Sequence, residues 1–126
     1  MHRSRLACLV IDCRSDDLTQ EAKFWGAALG APAKPVKEGD DPLYVEMDVP
    51  FGQPQVLLQR VEHESRVHLD IETDDIEAEV KRLEALGAKR IAQIKRWWVM
   101  EAPSGHRFCV VPPQRADFPA GANEWP

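Results

Sequence analysis

The stretch Leu9-Val10-Ile11-Asp12-Cys13-Arg14-Ser15-Asp16-Asp17-Leu18 returns later in the chain as Val67-His68-Leu69-Asp70-Ile71-Glu72-Thr73-Asp74-Asp75-Ile76. Val10 falls opposite His68, Asp12 opposite Asp70, and the two Asp-Asp pairs coincide. Each copy runs on into an amphipathic segment closed by Leu-Gly-Ala, at Leu29-Gly30-Ala31 and again at Leu86-Gly87-Ala88. A repeated strand-then-helix unit restricts the architecture far more than composition does, and two like modules side by side leave a cleft between them.

In the first copy, Leu6 to Cys13 is a nearly continuous apolar run rich in branched residues, the pattern of a strand covered on both faces. Asp16 or Asp17 can cap the helix that follows, because a short carboxylate accepts the free N–H groups of a first turn. Leu18, Ala22, Trp25 and Leu29 recur at helical spacing, Gly30 supplies a left-handed C-cap, and Pro32 and Pro35 forbid continuation. In the second copy Val67, Leu69 and Ile71 alternate with His68, Asp70 and Glu72, so one face is apolar and the other polar. Its helix is expected to start at Asp74 with Glu77 three residues on, to bury Ile76, Val80 and Leu83, and to end at Gly87.

Further strands are expected at Leu43 to Val49, Gln55 to Val61, Arg90 to Ile94, Trp97 to Glu101 and Arg107 to Val111. Pro103-Ser104-Gly105-His106 reads as the turn between the last two. From Pro112 onward, four prolines and Gly121 suggest a tail that frays or packs across a neighbour.

At 126 residues, with 44% hydrophobic and 29% charged residues, the chain reads as one ordinary globular domain able to build its own core. The longest apolar run, Leu6 to Ile11, is far too short to cross a bilayer. The basic start Met1-His2-Arg3-Ser4-Arg5 before that run is superficially like a signal peptide, but the run passes straight into Asp12 and reads as the first strand. A net charge of −5 and the absence of any basic cluster disfavour nucleic acid. Three cysteines is an odd number, and Cys8 and Cys13 in one extended strand lie about 16 Å apart, too far to bridge. That usage suggests a reducing, cytoplasmic setting.

A tandem βαβββ duplication with His68-Leu69-Asp70 opening its second module resembles the vicinal oxygen chelate superfamily of glyoxalase, bleomycin-resistance and extradiol dioxygenase proteins. The resemblance covers roughly Leu6 to Pro113. It includes Arg66-Val67-His68-Leu69-Asp70, Asp74-Asp75-Ile76, Leu83-Glu84-Ala85-Leu86-Gly87-Ala88 and the run from Trp98 to Val111, which look like the glyoxalase-like branch. It implies an α+β fold in which two modules, at about 5–61 and 66–113 of a single domain 1–113, form a cupped mixed β-sheet cleft with the helices outside. Residues 114–126 are then a C-terminal tail.

Metal-dependent members of the family place a His or Glu on the first strand of each module and a Glu or Gln on the last. His68 matches one such place, Val10 occupies its counterpart, and Cys109 stands where Gly105-His106-Arg107-Phe108 would be followed by a carboxylate. The first module's last strand offers Gln55 or Gln59. This set does not make a glyoxalase cage for a hard cation. If an ion binds, the resemblance points to a soft zinc site of His68, Gln59 and Cys109. The expectation is therefore no obligatory cofactor.

His68 either hydrogen-bonds Asp70 or a neighbouring strand, or contacts ligand and moves a proton; His68 and Asp70 are the catalytic candidates should the protein be an enzyme. Trp97 and Trp98 alternate, so one ring faces the cleft and the other the helix layer. Tyr44, Glu46 and Asp48 make a polar stripe that either lines the mouth of the cleft or faces water, and Glu62-His63-Glu64-Ser65-Arg66 reads as a polar linker. Cys109 in an apolar strand reads as a small buried hydrophobe rather than a nucleophile, with nothing placed nearby to lower its pKa.

These readings converge on a small-molecule-binding protein without an obligatory metal, its cleft lined by His68, Asp70, Gln59, Trp97, Trp98, Glu101 and Cys109. Sequestration of a toxic or antibiotic compound is one expected physiological form of such binding. The alternative is a metal-dependent lyase, isomerase or dioxygenase, and a third reading is a protein-interaction module with a filled cleft. The resemblance also implies a homodimer, with the tail and Trp125 draped over the partner.

Overall fold

The computed structural model describes residues 1–50 and 52–126. Among the described residues, eight strands and two helices make an α+β fold: β1 (His2–Cys13), α1 (Leu18–Leu29), β2 (Tyr44–Met47), β3 (Gln55–Arg60), β4 (Arg66–Thr73), α2 (Ile76–Ala85), β5 (Lys89–Ile94), β6 (Trp97–Glu101), β7 (Arg107–Val111) and β8 (Asn123–Trp125). The chain divides into two compact units, Cys8–Val67 and a second made of Met1–Ala7 with His68–Pro126.

In the first unit, β3 runs parallel to the end of β1, from Cys8 opposite Gln55 to Cys13 opposite Arg60, and β2 pairs antiparallel with β3. A single bridge, Ala33 with Met47, stands where the second unit has a full additional strand. The helix α1 begins as its sequence predicts: Asp17 accepts from the Thr19 N–H at 2.9 Å, and Gly30 ends it at φ 65. Leu18, Ala22 and Trp25 then bring the apolar stripe of α1 onto a core of Cys13, Met47, Val56 and Leu58.

In the second unit, β4 is parallel to β7, β7 antiparallel to β6, and β6 antiparallel to β5. Val80 and Leu83 of α2 pack with Met100, Val110, Ile71, Trp98 and Phe108 on one face of that sheet. The cap of α2 is Asp75, whose carboxylate accepts from Ala78 N–H at 3.1 Å, rather than Asp74. Asp74 is diverted by Arg3, which donates from its backbone N–H at 2.8 Å and from Nε at 3.0 Å, and Glu77 reaches Arg90 instead of closing a capping box. The alternation in β4 also has an unexpected burial. Leu69 is 43% exposed whereas Glu72 is fully buried, so the polar face is the better covered one at that end.

The C-terminal residues, expected to fray or to reach a neighbouring molecule, fold back onto their own chain. β8 pairs antiparallel with the start of β1, placing Trp125 opposite His2, and this is why β1 begins four residues before the apolar run. Around that pairing a closed circuit forms. Trp125 Nε1 donates to Ser4 Oγ at 2.9 Å, Ser4 and His2 hydrogen-bond the buried Glu79, Arg82 donates to both Glu79 oxygens at 2.8 Å, and its guanidinium lies 3.9 Å over the Trp125 ring. Trp125→Ala removes the ring and the indole donor together and is expected to cost about 2–3 kcal/mol in urea unfolding, with Trp125→Phe costing about 1 kcal/mol.

Burial alone would raise the pKa of Glu79, but the hydrogen bonds from Arg82, His2 and Ser4 outweigh it and hold the carboxyl low. Asp74 is held low by hydrogen bonds from Arg3, Glu77 by Arg90 and Asp117 by Arg5. Carboxyls depressed in the folded state contribute stability that is complete at neutral pH, above their unfolded values, and is lost as pH falls through the folded ones. Unfolding followed against pH should therefore show a plateau near neutrality and a fall below about pH 4, and Glu79→Gln should flatten that fall.

Candidate functional site

Because side chains alternate along a strand, the residues of the second unit that do not face α2 share the opposite face of its sheet. Ile71, Trp98, Met100, Phe108 and Val110 pack with α2. His68 and Asp70 on β4, Cys109 on β7, and Trp97, Val99 and Glu101 on β6 therefore lie on the face opposite α2. Asp70 pairs directly with Cys109, and Cys109 with Val99, so the ladder sets a continuous row across three strands.

His68 and Asp70 are the centre of that row. His68 Nε2 lies 3.3 Å from Asp70 Oδ1, and the two side chains keep only 13% and 14% of their exposure. Donor atoms of His68, Asp70 and Cys109 all lie within 4.8 Å of one another. Asp70 Oδ1 is buried and makes no hydrogen bond among the described residues; its contact with His68 is close without hydrogen-bond alignment.

Other expected lining residues are placed differently. Trp97 is on the same face, with Lys95 Nζ 6.0 Å from its ring centre. Trp98 is not a lining residue: it packs into the α2 core, and the Arg90 guanidinium, itself held by Glu77 and Glu84, lies 5.1 Å over it. Glu101 is tied to Arg107 at 3.1 Å, which leaves it an ion pair at the end of the row. Gln59 belongs to the first unit, opposite Asp12 on β1, and donates to the Tyr44 hydroxyl at 3.1 Å. Glu46, from the polar stripe of β2, accepts from Gln55 and Lys34. Val99 was not foreseen as a lining residue; its place two positions from Trp97 is the signal that finds it.

The first unit also contains a cavity of about 290 Å³, lined by Ile11, Cys13, Glu21, Trp25, Ser65 and Arg66 among others, and none of the expected site residues. The thiol of Cys13 there is pushed up by burial and by the carboxylates of Glu21 and Asp12, which keeps it protonated and unreactive.

The four-donor cage of metal-dependent relatives does not fit this chain. Val10, 2% exposed, has no lone pair to offer at the first-unit position. What the second unit offers by itself is one imidazole, one carboxylate and one thiol, a donor set suited to a thiophilic ion and unsuited to magnesium or calcium. Such an ion would act as a Lewis acid. His68, Asp70 and Cys109 are the residues that would hold it.

The comparison with family models matches residues 8–111 to the glyoxalase-like domain. Among solved structures, a hypothetical protein from Bacillus halodurans C-125 aligns with a TM-score of 0.63 at 13% identity, covering 90% of this chain and 98% of that one. Methylmalonyl-CoA epimerase from Mycobacterium tuberculosis aligns at 0.55 and 16% identity, covering 86% and 88%. A variant of homoprotocatechuate 2,3-dioxygenase from B. fuscum aligns at 0.55 and 16% identity, covering 90% of this chain but 33% of the enzyme. Identities this low show a common fold and carry no activity with them. A search of curated protein sequences gave no match. With the family model spanning most of its length and the fold shared with these structures, the chain belongs to the glyoxalase-like domain family of the vicinal oxygen chelate superfamily.

Proposed function

We propose that the chain binds a small organic molecule on the face of the second unit's sheet opposite α2 and does so without an obligatory metal, sequestration of a toxic or antibiotic compound being one form of this. The observation that carries the reading is the His68–Asp70 pair, 3.3 Å apart and mostly buried, beside Val99 and Cys109. A few convergent polar groups on an otherwise apolar floor are what orient a small ligand, and the Trp97 ring supplies a flat wall on the same face. An imidazole such as that of His68 can donate or accept, and the Asp70 carboxylate lies beside it. A metal-dependent lyase, isomerase or dioxygenase is the second reading, and the approach of Cys109 to the same pair favours it.

A thermal-shift panel of small planar organic compounds, run in excess chelator, tests the first reading. At saturating ligand, 100 times Kd, the native state gains about 2.7 kcal/mol, and the shift should vanish in His68→Ala and shrink in Trp97→Ala. Hits whose shift survives His68→Ala would sink it, and hits that appear only when a divalent ion is supplied hand the site to the second reading.

Pairing of two copies belongs to the same proposal. Leu6 and Leu69 of the second unit remain 39% and 43% exposed, apolar surface that a partner would cover. Light scattering at micromolar concentration should give twice the chain mass of 14.3 kDa, and Leu69→Asp should halve it; a wild-type mass of one chain contradicts pairing.

A further inference from the structure

We infer that the cavity beside α1 in the first unit is a second binding site, for a small organic ammonium ion whose charge pairs with Glu21 and whose apolar body lies against Trp25. Every residue lining it belongs to Cys8–Val67, so it is separate from the sheet face that carries His68 and Asp70.

The repeat supplies a template for the charge. Glu21 and Glu79 hold the same position in the two copies, each in the first turn of its helix. In the second unit that carboxylate accepts from two guanidinium nitrogens of Arg82 and from His2 Nε2, all at 2.8 Å, and from Ser4. Its surroundings are therefore N–H and O–H donors, one group cationic, with the Trp125 ring 3.9 Å from the guanidinium. In the first unit Phe24 stands where Arg82 does, 62% exposed and edge-on to Trp25. The Glu21 carboxylate has no hydrogen bond or ion pair among the described residues. An ammonium group brings it what Glu79 already has, N–H donors and positive charge together.

The lining selects a cation over an anion. Cys13, on the same wall, has its thiol pushed up by burial first and then by Glu21 and Asp12, so the field there is negative. Asp12 is matched by Arg66, whose Nε lies at 3.8 Å, and Arg14 is exposed, where water and salt screen its charge. Glu21 is the remaining charge of the sheltered part. Trp25, partly buried against the core beside Ile11, offers an indole, the ring that attracts cations best and also covers apolar surface. A cavity of about 290 Å³ is at the lower end of small-ligand sites, about 300–1,000 Å³, which limits the occupant to one ring or a short chain. Its amine is protonated at neutral pH, as the lysine ammonium is.

2-Phenylethylamine is the probe, with 2-phenylethanol as its uncharged counterpart and 3-phenylpropionate as the anion. Titrated into the full ¹⁵N-labelled chain, the amine should bind at least about tenfold more tightly than the alcohol, the acid should not bind, and the shifted amide signals should centre on Cys13 and α1. Glu21→Gln should erase that preference. Phe24→Arg places a guanidinium at the same spacing from Glu21 that Arg82 has from Glu79, and should occupy the carboxylate and erase the preference too, with circular dichroism unchanged. The inference is overturned if the amine shifts no signal at millimolar concentration, if the alcohol or the acid binds as tightly, or if the preference survives in either variant.

Discussion

A carboxylate that no water reaches, Glu72, holds the second unit together. It accepts from Arg5 Nε at 2.8 Å and from the backbone N–H groups of Gln114 and Arg115 at 2.6 and 3.0 Å. A buried carboxylate stripped of such donors would cost several kcal/mol, so the ends of the chain are bound to stay where those donors are. Arg5 extends the network to Asp117 and the Ala120 carbonyl, with Phe118 beneath its guanidinium. Burial disfavours the Arg5 cation, yet its hydrogen bonds to Asp117 and Glu72 prevail and raise its pKa. Because Glu72 is two residues from Asp70 on the same face of β4, fixing its carboxylate fixes the twist and facing of the strand that presents Asp70 and His68.

A second knot, at Glu79, does for α2 what Glu72 does for β4. Glu79 accepts from Arg82 of its own helix and from His2 and Ser4 near the start of the chain, as Glu72 accepts from Arg5 and from the backbone N–H groups of Gln114 and Arg115. The repeat makes the role of these partners visible. Glu21 of the first unit occupies the place that Glu79 occupies in the second, and there the space beside Cys13 and Trp25 stays open as a cavity. The same scaffold position is plugged where terminal residues are available to fill it and hollow where they are not.

Local signals were legible in the sequence and long-range ones were not. Asp17 and Gly30 mark α1 because a cap acts within one turn, and Trp97 to Glu101 and Arg107 to Val111 are readable as strands because alternation is a property of adjacent residues. Which of Asp74 and Asp75 caps α2 depended on Arg3, some seventy positions away, which no turn-level rule contains. Alternation likewise told that one tryptophan faces away from the helix without telling which, since that is settled by Val80 and Leu83 of α2 packing on Trp98. β8 eluded the reading altogether: three residues carry too weak a pattern, and their strand exists only because His2 to Ser4 accept it as a neighbour. Within the site, the partnership of His68 with Asp70 was readable from one strand, whereas Cys109 joined it only through the parallel pairing of β4 with β7.

The two copies of the repeat keep the same carboxylate and use it differently. Asp12 in the first unit lies near the Arg66 guanidinium, with Nε at 3.8 Å, and near the His63 imidazole, with Nε2 at 3.9 Å, and its neighbour two residues back is the buried Val10. Charge balance of that kind fixes a structure and leaves little for chemistry. Asp70 has instead the His68 imidazole at 3.3 Å and the Cys109 thiol within 4.8 Å. Valine for histidine at the same strand position means that Asp12 meets its partners from outside its own strand, whereas Asp70 meets one from within it. Duplication thus supplied two like frames that keep the same carboxylate and differ in the side chains that reach it.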